Sequence, residues 1–210
     1  MNFNLPVEIY IRLAGVSDHI PDDANDETNF ETVRVERSNG TLFAIATNRK
    51  IAAIYNLGKS EGDNAVVHLV KDAALIAQCV SEKPFNSVMS VTAVLELQMV
   101  SIKTSFGYNF PGNGGIFPSR TKLDEWRTWG PKEPVKATKG AMSWTMHEML
   151  ALNNASMSGN IVFPEFIDAE KPIVVRDLEN PNWVGLFMGN RRHDDGTIYV
   201  ADGAELPDWW

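Results

Sequence analysis

Residues 171–192 read KPIVVRDLENPNWVGLFMGNRR, which is two short apolar runs joined by a charged connector. The runs, 173–175 and 184–188, have the length and the composition of buried strands. The connector ends in Asn-Pro-Asn, which favours a turn over a continued strand. The stretch therefore predicts two neighbouring strands of an antiparallel sheet.

A second set of strands is predicted around Ser38-Asn39-Gly40. The flanking residues, 30–37 and 41–47, alternate in polarity, and Asn-Gly between such runs is the strongest short-range signal for a β-hairpin. A third strand, 50–57, follows directly, and the turn before it lies in the segment ATNRKIA at 46–52. We expect three consecutive antiparallel strands here.

Helical periodicity occurs three times, and each time strand-like segments follow. The predicted helices are 6–16, 70–81 and 143–157, and a strand stays an alternative for residues 7–13. The further predicted strands are 65–69, 87–92, 94–99, 100–106, 160–167 and 172–175. This order predicts an α+β fold built from repeated units of one helix and one antiparallel sheet.

Three segments are predicted to connect these elements. Residues 110–115, FPGNGG, favour a turn-rich loop, and no Gly-Lys-Ser/Thr ending follows that would suit phosphate binding. A linker is expected at 130–134, where Pro and polar residues interrupt the periodicity. Asp195-Gly196 predicts a hairpin turn before an added strand at 197–201.

The bulk composition argues against several classes of protein. A chain of 210 residues with 44% hydrophobic content can bury a sizeable core. No apolar run approaches the roughly 18 residues of a membrane-spanning helix, and MNFNLPVEIY lacks the basic start of a secretion signal. The single Cys79 cannot form an internal disulfide. We therefore expect a cytoplasmic protein that does not bind membranes.

Three segments resemble the bacterial sliding DNA clamp, the β subunit family of DNA polymerase III. Residues 171–192 follow the order of features at the end of that family's chain. ATNRKIA at 46–52 is similar to the family's signature of Ala-Thr-Asp, a short polar turn and Arg-Leu-Ala. Phe117-Pro118 resembles the segment that ends a clamp domain. The resemblance implies a DNA-clamp-like fold in a diverged and shortened member, such as a phage or another mobile element encodes.

The resemblance also implies a domain division. Clamp domains consist of two helix-plus-sheet units, with the helices towards the DNA and the sheets outside. Residues 1–126 then correspond to one clamp-like domain of two units, and residues 135–210 to a second, half domain with a C-terminal extension. For Trp209-Trp210 in that extension, docking on a neighbour, docking on the chain's own pocket and an ordinary packed or frayed tail all stay open.

In the clamp family, the turn after Ala-Thr and the closing strand form an apolar pocket for short peptides of polymerases and repair proteins. The resemblance implies one wall from each segment. The peptide-binding residues implied by position are Thr47, Lys50, Ile51, Leu186, Phe187 and Met188. Apolar walls with a few polar anchors suit peptide capture. An ordinary core role for Ile51, Leu186 and Phe187 is the open alternative.

The chain departs from the family's pattern at this pocket. Asn48 stands in place of the family's Asp, and the turn is one residue shorter. Met188-Gly189-Asn190 replaces a Met-Pro-Met ending. These changes predict a smaller and more polar wall.

DNA contact depends on a few cations, because the formal net charge is −8 and nonspecific affinity comes from Lys and Arg that replace counterions on phosphates. The candidates for binding double-stranded DNA are Arg12 in the first predicted helix, Lys71 in the second, and Lys83 just beyond it. The third predicted helix has neither Lys nor Arg, and presents His147 and Glu148.

No sequence motif predicts catalysis. His147-Glu148 lacks a second His one helical turn later, where Ala151 stands. His193-Asp194-Asp195 adjoins a Gly and favours a turn. No nucleophile elbow or dinucleotide fingerprint occurs. We expect no enzymatic activity, no cofactor and no metal; a hydrolase would require both histidines and acidic residues to meet in one cleft.

The resulting hypothesis is a clamp-like processivity factor. A homo-oligomeric ring would encircle double-stranded DNA and tether a DNA polymerase, or another protein with a clamp-binding peptide. The alternative is a clamp-derived adaptor or inhibitor, which keeps the peptide pocket but neither closes a ring nor holds DNA.

Overall fold

The computed structural model describes residues 1–16, 32–48, 50–71, 76–77, 87–94, 99–105, 109–115, 126–129, 136–139, 146–162, 173–187, 197–200 and 207–210. The strands in these ranges are β1 (Asn2–Pro6), β2 (Thr32–Ser38), β3 (Thr41–Thr47), β4 (Ile51–Lys59), β5 (Ala65–Val70), β6 (Val88–Val94), β7 (Met99–Thr104), β8 (Asn109–Gly115), β9 (Lys136–Lys139), β10 (Ile161–Val162), β11 (Ile173–Asp177), β12 (Trp183–Phe187) and β13 (Thr197–Val200). The helices are α1 (Val7–Val16), α2 (Trp126–Trp129) and α3 (Met146–Ala155).

These strands form three antiparallel sheets. The largest has seven strands in the order β10-β11-β12-β4-β3-β2-β5. A second has four strands in the order β1-β6-β7-β8, and a third pairs β13 with β9. Helices and antiparallel sheets therefore combine as the predicted α+β class requires.

The hairpin between β2 and β3 forms where Asn-Gly predicts it. Asn39 and Gly40 have positive φ angles of 50° and 75°, which a tight hairpin turn requires at both central positions. Ser38 pairs with Thr41 directly across the turn. Local turn chemistry therefore sets the register of these two strands.

The seven-stranded sheet buries side chains on both faces, because its strands alternate between two apolar clusters. On the helix face, Ile51, Ala53 and Tyr55 of β4 join the main core together with Leu13 of α1 and Leu152 of α3. We call the opposite side the outer face. It consists of Phe43, Ile45, Ala52, Ile54, Val174, Val184 and Leu186, together with Trp126 of α2.

The main core joins both large sheets to the helices. Residues of β1, β6 and β7 in the four-stranded sheet, such as Leu5, Met89 and Ile102, belong to the same buried cluster as the helix face. Leu5 and Leu13 are both 0% exposed. Each buried side chain of this size stabilises the fold by about 1.5–3 kcal/mol.

Some predicted elements are wrong. Residues 109–115 form strand β8 at a sheet edge rather than a loop, because backbone pairing with β7 needs no apolar side chains and an edge tolerates Pro. Val94 ends β6 and Met99 begins β7, and the rest of the strand predicted at 94–99 lies outside the described residues. Strands β1 and β9 were not predicted.

The predicted helices agree with the described residues in different degrees. Helix α1 lies within the predicted 6–16. In 70–81, Val70 belongs to β5, Ile76 and Ala77 are helical, and most of the remainder lies outside the described residues. Helix α3 forms within 143–157, but its expected core positions Met146 and Leu150 are 73% and 51% exposed.

The seven-stranded sheet contains strands from both predicted domains. Strands β2 to β5 come from residues 1–126, whereas β10 to β12 come from residues 135–210. Pairing of β12 with β4 makes the sheet continuous. The predicted linker, 130–134, and Phe117-Pro118 lie outside the described residues, so the domain division stays a prediction.

Gly185 in β12 should be required for packing. A Cβ atom there would lie 2.7 Å from Trp183 Cη2 and 3.1 Å from Leu152 Cδ2. We expect Gly185→Ala to lower the free energy of unfolding by about 1–3 kcal/mol, because overpacking forces buried groups to move. Chemical denaturation measures the change.

Gly15→Ala in α1 is the matched control for this experiment. A Cβ atom at Gly15 would have nothing within 4 Å, and Ala is favoured over Gly in a helix by up to about 1 kcal/mol. We expect equal or higher stability. A Gly185→Ala protein as stable as the Gly15→Ala protein would contradict the described packing of β12.

Candidate functional site

The turn between β3 and β4 is held together by its own side chains. Asn48 Oδ1 accepts hydrogen bonds from the backbone N–H groups of Lys50 and Ile51, at 3.0 and 2.9 Å. The Thr47 hydroxyl donates to the carbonyl of Ile51 at 2.6 Å. Asn48 therefore supplies the acceptor that such a turn needs, although it replaces the Asp of the Ala-Thr-Asp signature that residues 46–52 resemble.

Strand β12 lies directly beside this turn. Leu186 pairs with Ala52, and Phe187 pairs with Ile51. The two segments named as walls of a peptide pocket are therefore neighbours in one sheet. Met188 lies outside the described residues.

The predicted wall residues do not share one face. Ile51 and Phe187, 2% and 0% exposed, lie in the main core on the helix face, and Thr47 is 4% exposed. Leu186 belongs to the outer face. Leu186, 3% exposed, therefore packs on the outer face, while Ile51 and Phe187 support the sheet from the other side.

Lys50, also a predicted wall residue, contacts α3. Its Nζ lies 3.3 Å from Glu148 Oε1, and the two side chains are 42% and 5% exposed. The pair links the turn between β3 and β4 to the third helix. Among the described residues of the turn, Lys50 is thus the one cation.

Aromatic residues that the sequence did not single out lie on the outer face. The ring of Phe43 lies 5.3 Å from that of Trp126. The guanidinium of Arg127 lies 4.0 Å from the Trp126 ring and 4.9 Å from the Phe43 ring, distances that suit cation–π contact. One sequence signal for a second buried face was available. Strand β3, TLFAIAT, has apolar residues at both alternating sets of positions.

A buried carboxylate holds this aromatic surface in place. Glu36 accepts hydrogen bonds from Arg34, from the indole of Trp126 at 3.0 Å and from Arg127 at 2.7 Å. Burial alone would raise the pKa of Glu36, but the hydrogen bonds from Arg127 and Trp126 and the two positive charges outweigh it. The pKa of Glu36 is therefore lowered, and the ionised form is favoured.

Residues 207–210 cover this surface. Trp209 lies 6.0 Å from Phe43, and Trp210 meets Trp126 edge-on at 5.0 Å. The Trp209 indole donates to the carbonyl of Pro181 at 3.1 Å, and the Trp210 indole donates to that of Arg127 at 3.0 Å. Trp209 and Trp210 therefore pack on the chain's own surface, which fits both an ordinary packed tail and docking on the chain's own pocket.

Of the candidate DNA-binding residues, the structure describes Arg12 and Lys71. Arg12 bonds to Glu8 at 2.7 Å and donates to the carbonyls of Asn154 and Ser156, both at 2.7 Å. It therefore ties α1 to the end of α3. Burial lowers the pKa of Lys71, and Lys83 lies outside the described residues.

The described part of the chain also bears on metal binding and on membrane insertion. There, His, Cys, Asp and Glu side chains form no group of three or more that could hold a metal ion. His147 is exposed, and His193 lies outside the described residues. None of the described helices has the length and hydropathy that a transmembrane segment needs.

Comparison with known proteins identifies the fold. A sliding clamp from Pseudomonas aeruginosa bound to griselimycin is similar over 91% of this chain and 66% of that chain, with a TM-score of 0.62 and 13% identity. The DNA polymerase III β subunit of Thermotoga maritima has a TM-score of 0.61 at 11% identity, over 92% and 66% of the two chains. The DNA polymerase III β chain of Streptococcus pneumoniae has a TM-score of 0.57 at 11% identity, over 91% and 65%.

No protein-family model and no curated protein sequence matches the chain. The chain therefore has the fold of bacterial sliding clamps at low sequence identity, and the clamp-like fold that residues 46–52 and 171–192 imply is confirmed. It spans slightly less than two thirds of the length of the clamp chains it matches, at 66%.

The Glu36 cluster predicts a pH-dependent difference in stability. Glu36→Gln should lower the free energy of unfolding at pH 7 by about 1–3 kcal/mol, because it leaves the buried Arg34 and the partly exposed Arg127 without this carboxylate. The folded pKa lies below the ordinary 4.5, so the stabilisation is complete above that pH and is lost as pH falls through the folded pKa. Denaturation of both proteins at pH 7, 4 and 3 measures it, and a difference that is unchanged at pH 3 would contradict the ion pairs.

Proposed function

We propose that this chain is a noncatalytic, clamp-like protein that binds short peptides of a DNA polymerase or of other replication proteins. One observation carries the proposal. The two segments that resemble clamp signatures, 46–52 and the strand at 183–187, are adjacent strands of a clamp fold through the pairing of β4 with β12. A peptide site made of these segments needs that adjacency.

We infer that the peptide lies on the outer face. Leu186 belongs to that face, and Phe43, Trp126 and Arg127 elsewhere on it offer aromatic surface and hydrogen-bonding groups. Grooves with apolar and aromatic walls and a few polar anchors are typical of peptide sites. Thr47, Ile51 and Phe187 would shape the site from within the sheet, and Met188 would extend it.

The proposed peptide binding can serve two different functions. A processivity factor would also form a homo-oligomeric ring around double-stranded DNA, with residues 1–126 and 135–210 as its clamp-like domain and half domain. An adaptor or inhibitor would bind the peptide alone, in the cytoplasm, without DNA.

The charges of the described helices favour the adaptor. Arg12 is already bound to Glu8 and to two backbone carbonyls. Helix α3 has no Lys or Arg, and its exposed side chains include Met146 and Leu150. DNA affinity requires cations that can replace counterions on phosphates, so a ring of such subunits would hold DNA weakly.

Leu186→Ala and Phe187→Ala separate peptide binding from stability. Both truncate buried side chains and should cost about 2–5 kcal/mol of stability, but they lie on opposite faces of β12. We expect Leu186→Ala to lower the affinity for a labelled polymerase-derived peptide by about tenfold or more, as truncation at a binding hot spot does. Phe187→Ala should leave affinity nearly unchanged.

Fluorescence anisotropy at a temperature where both variants are folded, verified by circular dichroism, measures this difference. The exposed Leu178→Ala, at 73% exposure, is the control for truncation without burial. Loss of affinity in Phe187→Ala with normal binding by Leu186→Ala would contradict the assignment to the outer face.

DNA tethering is tested by mass measurement in solution with primed circular DNA and with the same DNA made linear. The adaptor predicts a mass that is unchanged by either DNA. A multi-subunit species retained on circular but not on linear DNA would establish the processivity factor, and would overturn the preference for the adaptor.

A further inference from the structure

We propose that Pro207–Trp210, which we call the Trp segment, is an internal ligand of the outer-face site and must leave before a partner peptide can bind. The inference rests on the proposed peptide binding. It adds the regulation of that site and the chemistry of its ligand. The occupant of the site in this structure is a segment of the chain itself.

The contacts of the Trp segment are those of a bound ligand. Each indole N–H is paired with a backbone carbonyl, Trp209 with Pro181 and Trp210 with Arg127. The rings also pack edge-on and tilted against Trp126 and Phe43. Both rings and both N–H groups orient the Trp segment, so the contact is specific. In a nonspecific apolar contact, the indole N–H groups would bond to water instead.

The surface below the segment is held by contacts of its own. Trp126 is 0% exposed, and its indole is bonded to Glu36. Arg127 is bonded to Glu36 and stacks on the rings of Trp126 and Phe43. The site can therefore keep its shape when the Trp segment leaves, which a competing peptide requires.

The segment is less buried than the surface it covers. Trp209 and Trp210 are partly exposed, whereas Phe43 and Trp126 below them are 3% and 0% exposed. Few contacts therefore need to break for the segment to dissociate, and such segments open at a lower free energy than the whole fold.

The bound segment defines the class of partner. The backbone N–H of Trp210 donates to the carbonyl of Pro207 at 3.0 Å, so the segment is a tight turn that presents two adjacent indoles. The fitting partner is a peptide with a proline-initiated turn whose third and fourth residues are aromatic, at least one of them with a ring N–H. Trp provides both the ring and the donor.

Competition within one chain lowers the apparent affinity for a partner. A site that is open for only 1–10% of the time binds about 10–100-fold more weakly than a site that is always open. Removal of the two indoles should therefore strengthen binding of an added peptide by about tenfold or more.

The experiment uses the full chain with Trp209→Ala and Trp210→Ala combined. The probe is a fluorescein-labelled peptide of residues 203–210, GAELPDWW. We expect it to bind the double variant at least about tenfold more tightly than the unaltered chain. Equal affinity for both proteins, or no binding to the double variant, would overturn the proposal.

Two controls test whether binding depends on the Trp side chains and whether any surface substitution has the same effect. A probe with both Trp replaced by Ala should not bind either protein, and Met146→Ala on α3, where Met146 is 73% exposed, should bind the probe as the unaltered chain does. Tight binding of the Trp-free probe would also overturn the proposal.

A second measurement does not depend on the folding of a variant. In the unaltered chain, the indole N–H groups of Trp209 and Trp210 should exchange with solvent more slowly than in the free peptide but faster than that of Trp126, which is bonded to Glu36. Exchange of all three at one rate would mean that the segment opens only with the whole fold, and would overturn the proposal.

A polymerase-derived peptide separates this proposal from the proposed function. Binding to the double variant much more tightly than to the unaltered chain supports both. Equal binding to both proteins supports the function and overturns the regulation. Binding of only the GAELPDWW probe supports the internal ligand and overturns the proposed partner.

Discussion

The pairing of β12 with β4 is the contact on which the rest of the structure depends. It joins residues 183–187 to residues 51–55 in unbroken antiparallel register. Bringing β4 and β12 together closes the long stretch of chain between them, which costs chain entropy. Burial of Phe187 and Ile51 on one face, and of Leu186 and Ala52 on the other, offsets this cost. Without this pairing the large sheet would separate into two smaller ones.

The same pairing gives the sheet its two different sides. On the helix face, contacts with α1 and α3 complete a core, and the hydroxyl of Tyr55 donates to the carbonyl of Ala155. Burial raises the pKa of that hydroxyl, so it stays protonated and remains a donor. On the outer face, α2 and the Trp segment are the covering elements among the described residues. A side chain in β12 therefore belongs to the core or to the candidate site according to its alternation along the strand.

Several cations in the described part of the chain form ion pairs within it. Arg12 and Lys50, two cations that a DNA or peptide site could use, form ion pairs with Glu8 and Glu148 and so stabilise contacts within the chain. Arg127 is also paired, but its guanidinium remains stacked on the aromatic surface. The outer face thus presents a guanidinium beside its aromatic rings.

The sequence alone determined those elements whose conformation depends on neighbouring residues in the chain. Asn39-Gly40 set the β2–β3 hairpin, because only residues that accept positive φ fit that turn, and two resembling segments indicated the clamp fold at 11–14% identity. Strand β8 could not be predicted from FPGNGG, since its backbone is a strand only through pairing with β7. Nor could the sequence distinguish the faces of Leu186 and Phe187, because both belong to a continuous apolar run. Only the tertiary structure, which covers the two faces with different elements, decided that Phe187 lies in the main core and that Leu186 belongs to the outer face, against which Trp209 and Trp210 pack.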